Sequence, residues 1–217
     1  AAYDAGWKRV KLYFMIGLPT ETEEDLAGIV KLAKEVAAIG KLDVKVSVST
    51  FIPKPHTPFQ WVRFNTLTEI RKKLDYLKQN LRGRGLSLDW NEPTLSKLEA
   101  VFARGDRRLS EVLINAWRLG SRFTGWHEHF DMEIWQQAFA ESKLDLDQYV
   151  YRKFSLRDRL PWDHIEVGVT KQYLRSEYKN ALEAEVTSDC RFDQCTGCGA
   201  NQLLTSFDCA VGDQNED

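Results

Sequence analysis

The run Val10-Lys-Leu-Tyr-Phe-Met-Ile-Gly17 is almost continuously apolar from Leu12, the pattern of a parallel strand covered on both faces. A turn follows at Leu18-Pro19-Thr20. Thr20 and Glu23 have the spacing of a capping box, and Glu21, Glu23, Glu24 and Asp25 suit the positive end of a helix starting there. Leu26, Ile29, Val30, Ala33, Val36 and Ala37 recur with helical period, and Gly40 is placed to end the helix. Val44, Val46 and Val48 then alternate with Lys45, Ser47 and Ser49, which predicts a second strand running to Ile52. Strand, helix and strand joined by short links make a βαβ unit, with parallel strands and a right-handed crossover.

Beyond it lies a proline-rich loop, Pro53-Lys-Pro-His-Thr-Pro-Phe59. Thr66 and Glu69 cap another helix, with Ile70, Leu74, Leu77 and Leu81 on one face and Arg71, Lys72, Lys73, Lys78 and Arg82 on the other. Gly83 and Gly85 break it, and Leu86–Trp90 reads as a short third strand. From Pro93 the periodicity is helical, over about 93–104, 107–120, 131–142 and 170–185. It disappears from Thr187, and the final Gly-Asp-Gln-Asn-Glu-Asp suits disorder. Two or three parallel strands cannot close a barrel and leave a bare apolar edge. The expectation is therefore a sheet completed by segments upstream, and the opening Ala1-Ala2-Tyr3, without Met, fits a chain cut from a longer one.

The 217 residues are 43% hydrophobic and 29% charged, ordinary for a globular protein. No apolar run approaches the roughly 18 residues of a membrane span, and no signal-like leader opens the chain, so no membrane partner and a cytoplasmic location are expected. The net charge of −2 gives no overall attraction for nucleic acid. All four cysteines fall after residue 189, a clustering that reads as a metal site rather than a disulfide scaffold.

Several stretches together resemble a known family. Lys11-Leu-Tyr-Phe-Met-Ile-Gly-Leu-Pro-Thr-Glu-Thr-Glu-Glu-Asp25 looks like the fifth strand and following turn of a radical S-adenosylmethionine (SAM) barrel, and Val46–Phe59 like the sixth strand and its exit loop. Ala103-Arg-Gly-Asp-Arg-Arg108, Gly125-Trp-His-Glu-His-Phe130, Leu160-Pro-Trp-Asp-His-Ile165 and Cys190-Arg-Phe-Asp-Gln-Cys-Thr-Gly-Cys-Gly199 resemble the radical SAM proteins that carry an amino-terminal cobalamin-binding domain. The resemblance implies an α/β fold: the carboxy-terminal part of a partial (β/α) TIM-type barrel in 1–65, a mainly helical substrate-side region in 66–186 and a Cys-rich tail in 187–217. It also implies a [4Fe–4S] cluster on a Cys-x3-Cys-x2-Cys loop, SAM on its open iron, and a 5′-deoxyadenosyl radical; cobalamin enters through the family alone. The chain departs from the family in having no Cys-x3-Cys-x2-Cys and in having Asn201 where a further cysteine is expected.

Within this frame Gly17, Pro19 and Glu21, at a strand's carboxyl end, and Pro53, after the next strand, are the expected SAM-side residues. Glu21 either orients the SAM amino group or serves the helix dipole. His56 is either a substrate-side hydrogen bonder or, the favoured reading, an exposed histidine on a rigid loop. Cys190, Cys195 and Cys198, with Cys209 as fourth thiol, have ligand spacing for zinc or an auxiliary [4Fe–4S] cluster. His127 and His129 share a side only if the backbone is extended, and Asp131 suits a helix cap. Asp163 either orients His164 or knits its loop. Arg104, Arg107, Arg108 and the basic helix face at 71–84 suit an anion, phosphate or RNA, or a solvated surface.

The function expected is that of a carboxy-terminal fragment of a radical SAM enzyme, acting on a substrate the sequence does not identify and inactive without its amino-terminal portion. The alternative is a non-catalytic interaction or RNA-binding module with a small zinc site in the cysteine tail.

Overall fold

The computed structural model describes residues 3–40 and 42–200. The chain divides into two compact units, each assembled from separated segments: residues up to 52 with 64–152, and 53–63 with residues from 153 onward.

The first unit contains the βαβ pattern. Strand β1 (Arg9–Ile16), helix α1 (Glu23–Ala38), strand β2 (Asp43–Thr50), helix α2 (Leu67–Asn80) and strand β3 (Leu86–Trp90) follow one another. The strands form one sheet in the order β1-β2-β3, parallel throughout, with register Arg9↔Asp43 to Ile16↔Thr50 and Val44↔Leu86 to Val48↔Trp90. The valine alternation of β2 puts Val44, Val46 and Val48 at 2% exposure or less, each contributing about 1.5–3 kcal/mol as an upper estimate. They pack in one core with Leu26, Val30 and Ala33 of α1 and Ile70, Leu74 and Leu77 of α2.

Two local expectations are corrected. The α1 capping box is Thr22 with Asp25, not Thr20 with Glu23: the Thr22 hydroxyl accepts from the Asp25 amide and the Asp25 carboxylate accepts from the Thr22 amide at 2.7 Å. Thr20 instead has a left-handed backbone, φ 69°. Strand β1 is not covered on both faces either. Its apolar run conceals an alternation in which Arg9, Lys11, Tyr13 and Met15 are exposed, Tyr13 by 74%. The Thr66–Glu69 box does cap α2.

After β3 come α3 (Pro93–Arg104), α4 (Leu109–Arg118), a 3-10 turn (His127–His129), α5 (Met132–Glu141) and α6 (Leu146–Tyr151), the last a six-residue helix with no clear periodicity to announce it. Pro93 occupies the first helical turn of α3, where a missing amide costs nothing. Asp131 caps α5 through the Glu133 amide, as expected. Arg104, 1% exposed, is a structural cation: Nε donates to the Tyr149 carbonyl at 3.1 Å and Nη2 to the Arg152 carbonyl. Burial, and then the nearby Arg152, pulls its pKa down to about 10.

The second unit has its own small core of Trp61, Phe154, Leu160, Trp162 and Leu174. The Phe154 amide donates to the Trp61 carbonyl at 3.0 Å, and the Phe154 and Trp162 rings meet edge-on at 5.9 Å. Helix α7 (Lys171–Leu182) begins at Thr170, whose hydroxyl accepts from the Tyr173 amide. No helix among the described residues is long and apolar enough to cross a membrane.

Candidate functional site

In the first unit, the chain leaves β1 through a closed turn. Gly17, at φ 88°, donates its amide to Glu21 Oε2 at 2.7 Å, and Glu21 Oε1 accepts from Lys73 of α2. The Glu21 side chain is 6% exposed. Two features require glycine at position 17: the left-handed backbone and a Cβ that would lie 2.8 Å from Asn65 Nδ2. Glu21 therefore holds the loop in shape, with Pro19 half-buried between them.

Pro53 is buried in the second unit, at the start of a loop that leads to His56. That histidine is not the exposed residue expected. Its backbone is left-handed, φ 56°, a conformation that costs a non-glycine residue about 1–2 kcal/mol. A buried glutamine holds it there: Gln60, 2% exposed, accepts the His56 amide at 3.2 Å and the Trp162 indole N–H at 2.7 Å on the same oxygen. The His56 Nε2 is buried without a hydrogen-bond partner.

His56 and Gln60 line a cleft of about 490 Å³ with the segment from Asp163 to Lys171 and with Leu174. Asp163 knits this segment, accepting from the Leu160 amide at 2.8 Å and from Lys171 Nζ. Lys171 also donates to the Asp158 carbonyl at 2.9 Å. Burial pushes the Asp163 carboxyl up, but the Lys171 ammonium, the Leu160 amide and His56 outweigh it and hold the group below the usual carboxylate range. The cleft therefore combines a satisfied ion pair with one imidazole whose ring nitrogen lacks a protein partner. A buried unpaired nitrogen on a strained residue can donate to, accept from or exchange a proton with a bound molecule. The sequence signal was a histidine set among Pro53, Pro55 and Pro58; the Gln60–Trp162 contact that orients it joins residues 102 positions apart.

Cys190, Cys195 and Cys198 are free thiols, and among the described residues no three His, Cys, Asp or Glu side chains are grouped to hold a metal ion. Cys209 and Asn201, like the acidic end, lie outside the described residues. Cys190 and Cys198 nevertheless both lie near Tyr173: burial first, then Glu177, then Cys198 and Cys190 push its hydroxyl up. The His127–His129 pair lies in a 3-10 turn, not an extended segment, and the His129 ring lies 5.9 Å from that of Phe123, tilted by 51°. Several of the basic groups are engaged as well. Arg108 forks onto Asp106, Lys72 and Lys73 face Glu23 and Glu21, and Lys78 lies 4.4 Å over the Trp90 ring.

The chain is similar to an uncharacterized protein of Methanocaldococcus jannaschii, at 38% identity over 109 residues that take in 50% of this chain and 24% of that protein. It thus spans about a quarter of the length of the curated relative it matches. No protein-family model matches the chain, and no solved structure matches it.

Proposed function

We propose that the chain is the carboxy-terminal part of a radical SAM enzyme and that His56 is a substrate-side hydrogen-bonding residue of that enzyme. The observation that carries the reading is the parallel β1–α1–β2 unit, with a glycine turn at the carboxyl end of β1 and a proline-rich loop after β2. This is the arrangement in which α/β folds present ligands. The outer edge of β1, unpaired among the described residues, fits a larger sheet, and a relative about four times the length of the match leaves room for the rest of a barrel.

The chain holds no Cys-x3-Cys-x2-Cys, and its described residues offer no metal-ligand cluster, so in this reading the catalytic [4Fe–4S] cluster is held elsewhere. When bound, cluster and SAM would supply the 5′-deoxyadenosyl radical. Gly17 and Glu21 give the first strand's exit loop a fixed shape, and Glu21 does so while paired with Lys73. His56 gives an imidazole able to accept or donate one proton at a ring nitrogen. The accessory metal in the cysteine tail and the use of cobalamin belong to the same proposal.

Reading the DNA upstream of the Ala1 codon tests it. An in-frame Cys-x3-Cys-x2-Cys is expected, and a complete reading frame without one overturns the proposal. This chain alone, reconstituted anaerobically with iron and sulfide, should form no 5′-deoxyadenosine from SAM; clear turnover would show that the division of labour is wrong.

A further inference from the structure

A second cavity, of about 710 Å³, lies entirely in the first unit. It opens beside Trp90, Asn91 and Glu92, where β3 ends, and is walled by α3, α4 and α5 through Leu95, Phe102, Leu113 and Trp135. Carboxyl ends of parallel strands are where such sheets take ligands, and the volume falls in the range of small-molecule sites.

Three observations define its chemistry. Trp135 is 6% exposed, and its indole Nε1 is buried with no acceptor. Leaving such a donor unsatisfied costs about 1–3 kcal/mol, so an acceptor arriving in the cavity recovers a bond the protein does not make. The walls are aromatic: Trp135 and Phe102 meet at 5.5 Å with planes at 72°, and Trp90 stands at the mouth, 38% exposed. Edges and faces of this kind favour another ring. The carboxylates Glu92 and Glu99 line the cavity together with the imidazole of His127, and no Lys or Arg does so among the described residues. Glu92 is held in place by the Thr94 hydroxyl at 2.9 Å. An anion is therefore disfavoured.

We propose that this cavity binds a planar aromatic molecule, uncharged or cationic, whose hydrogen-bond acceptor takes the Trp135 indole N–H. The site stands apart from the radical SAM reading, since it requires neither cluster nor SAM.

The test uses the whole chain and quinoline, a planar ring with one acceptor nitrogen, with 2-naphthoate as the anionic counterpart. In a proton–nitrogen correlation spectrum the indole N–H signal absent from Trp135→Phe identifies Trp135. Quinoline should move that signal downfield saturably, Trp135→Phe should bind quinoline about tenfold more weakly, and 2-naphthoate should bind more weakly than quinoline. Leu113→Trp adds a ring at a position that is 48% exposed and lines the cavity, so it should block binding while leaving the fold intact. An unmoved Trp135 signal, equal affinity of Trp135→Phe, equal affinity for 2-naphthoate, or undiminished binding to Leu113→Trp would overturn the proposal.

Discussion

The indole N–H of Trp162 donates to the side-chain oxygen of Gln60 at 2.7 Å, in a core where Gln60 is 2% exposed. The same oxygen takes the His56 amide, so one carbonyl group serves two buried donors. Gln60→Met keeps the volume and removes the acceptor. The second unit should lose about 2–6 kcal/mol, since each of the two orphaned donors costs about 1–3 kcal/mol. Near-ultraviolet circular dichroism during urea unfolding reads this directly from the tryptophans of that unit.

His56→Asn should behave differently. Asparagine tolerates the left-handed backbone at φ 56° and has no Nε2 to leave unpaired. Stability should stay level or rise by up to about 1 kcal/mol, while any ligand of the cleft that bonds the imidazole is lost. A fall of more than about 2 kcal/mol on urea unfolding would instead make the ring a packing element.

Gly17→Ala meets two separate obstacles, a φ of 88° and a contact of 2.8 Å with Asn65 Nδ2. A loss of about 2–3 kcal/mol is expected. Adding Asn65→Ala should recover only the steric share, leaving about 1 kcal/mol of backbone cost. A double-mutant cycle in chemical denaturation separates the two.

Asp163 makes the second unit sensitive to acid. Its carboxyl is held below its ordinary value because Lys171, the Leu160 amide and His56 overcome the effect of burial. A folded value below the unfolded one, about 3.9, means that the stabilisation is complete above the unfolded value and is lost as pH falls through the folded one. Stability should therefore decline below about pH 4 on this account, and Asp163→Asn should flatten that decline. Unfolding midpoints measured from pH 3 to pH 6 give the comparison.

The first unit was largely legible because its signals are local. Val44, Val46 and Val48 mark β2 by themselves, and Thr66 with Glu69 marks the start of α2. Local ambiguity explains the misplaced cap: threonines at 20 and 22 both have an acidic residue three positions on, and the choice falls to Thr22 because Glu21 is drawn into the Gly17 amide and Lys73. Strand β1 misled because Tyr13 and Met15, apolar by type, occupy the outward face that usually carries polar groups. The His56 cleft was hidden for another reason. Its parts come from two stretches about a hundred residues apart, and nothing in either says that Gln60 will meet Trp162. The Trp135 cavity likewise depends on how three helices pack, which no short motif encodes.

Strand β1 stands at one edge of the sheet and has β2 as its sole ladder partner among the described residues. Peptide groups along a parallel strand point alternately to its two sides. Every second amide of β1 therefore looks away from the ladder, and deuterium uptake along Arg9–Ile16 should follow a fast–slow rhythm. The same row is a ready template for another strand, with Arg9 and Lys11 as charged guards against indiscriminate stacking.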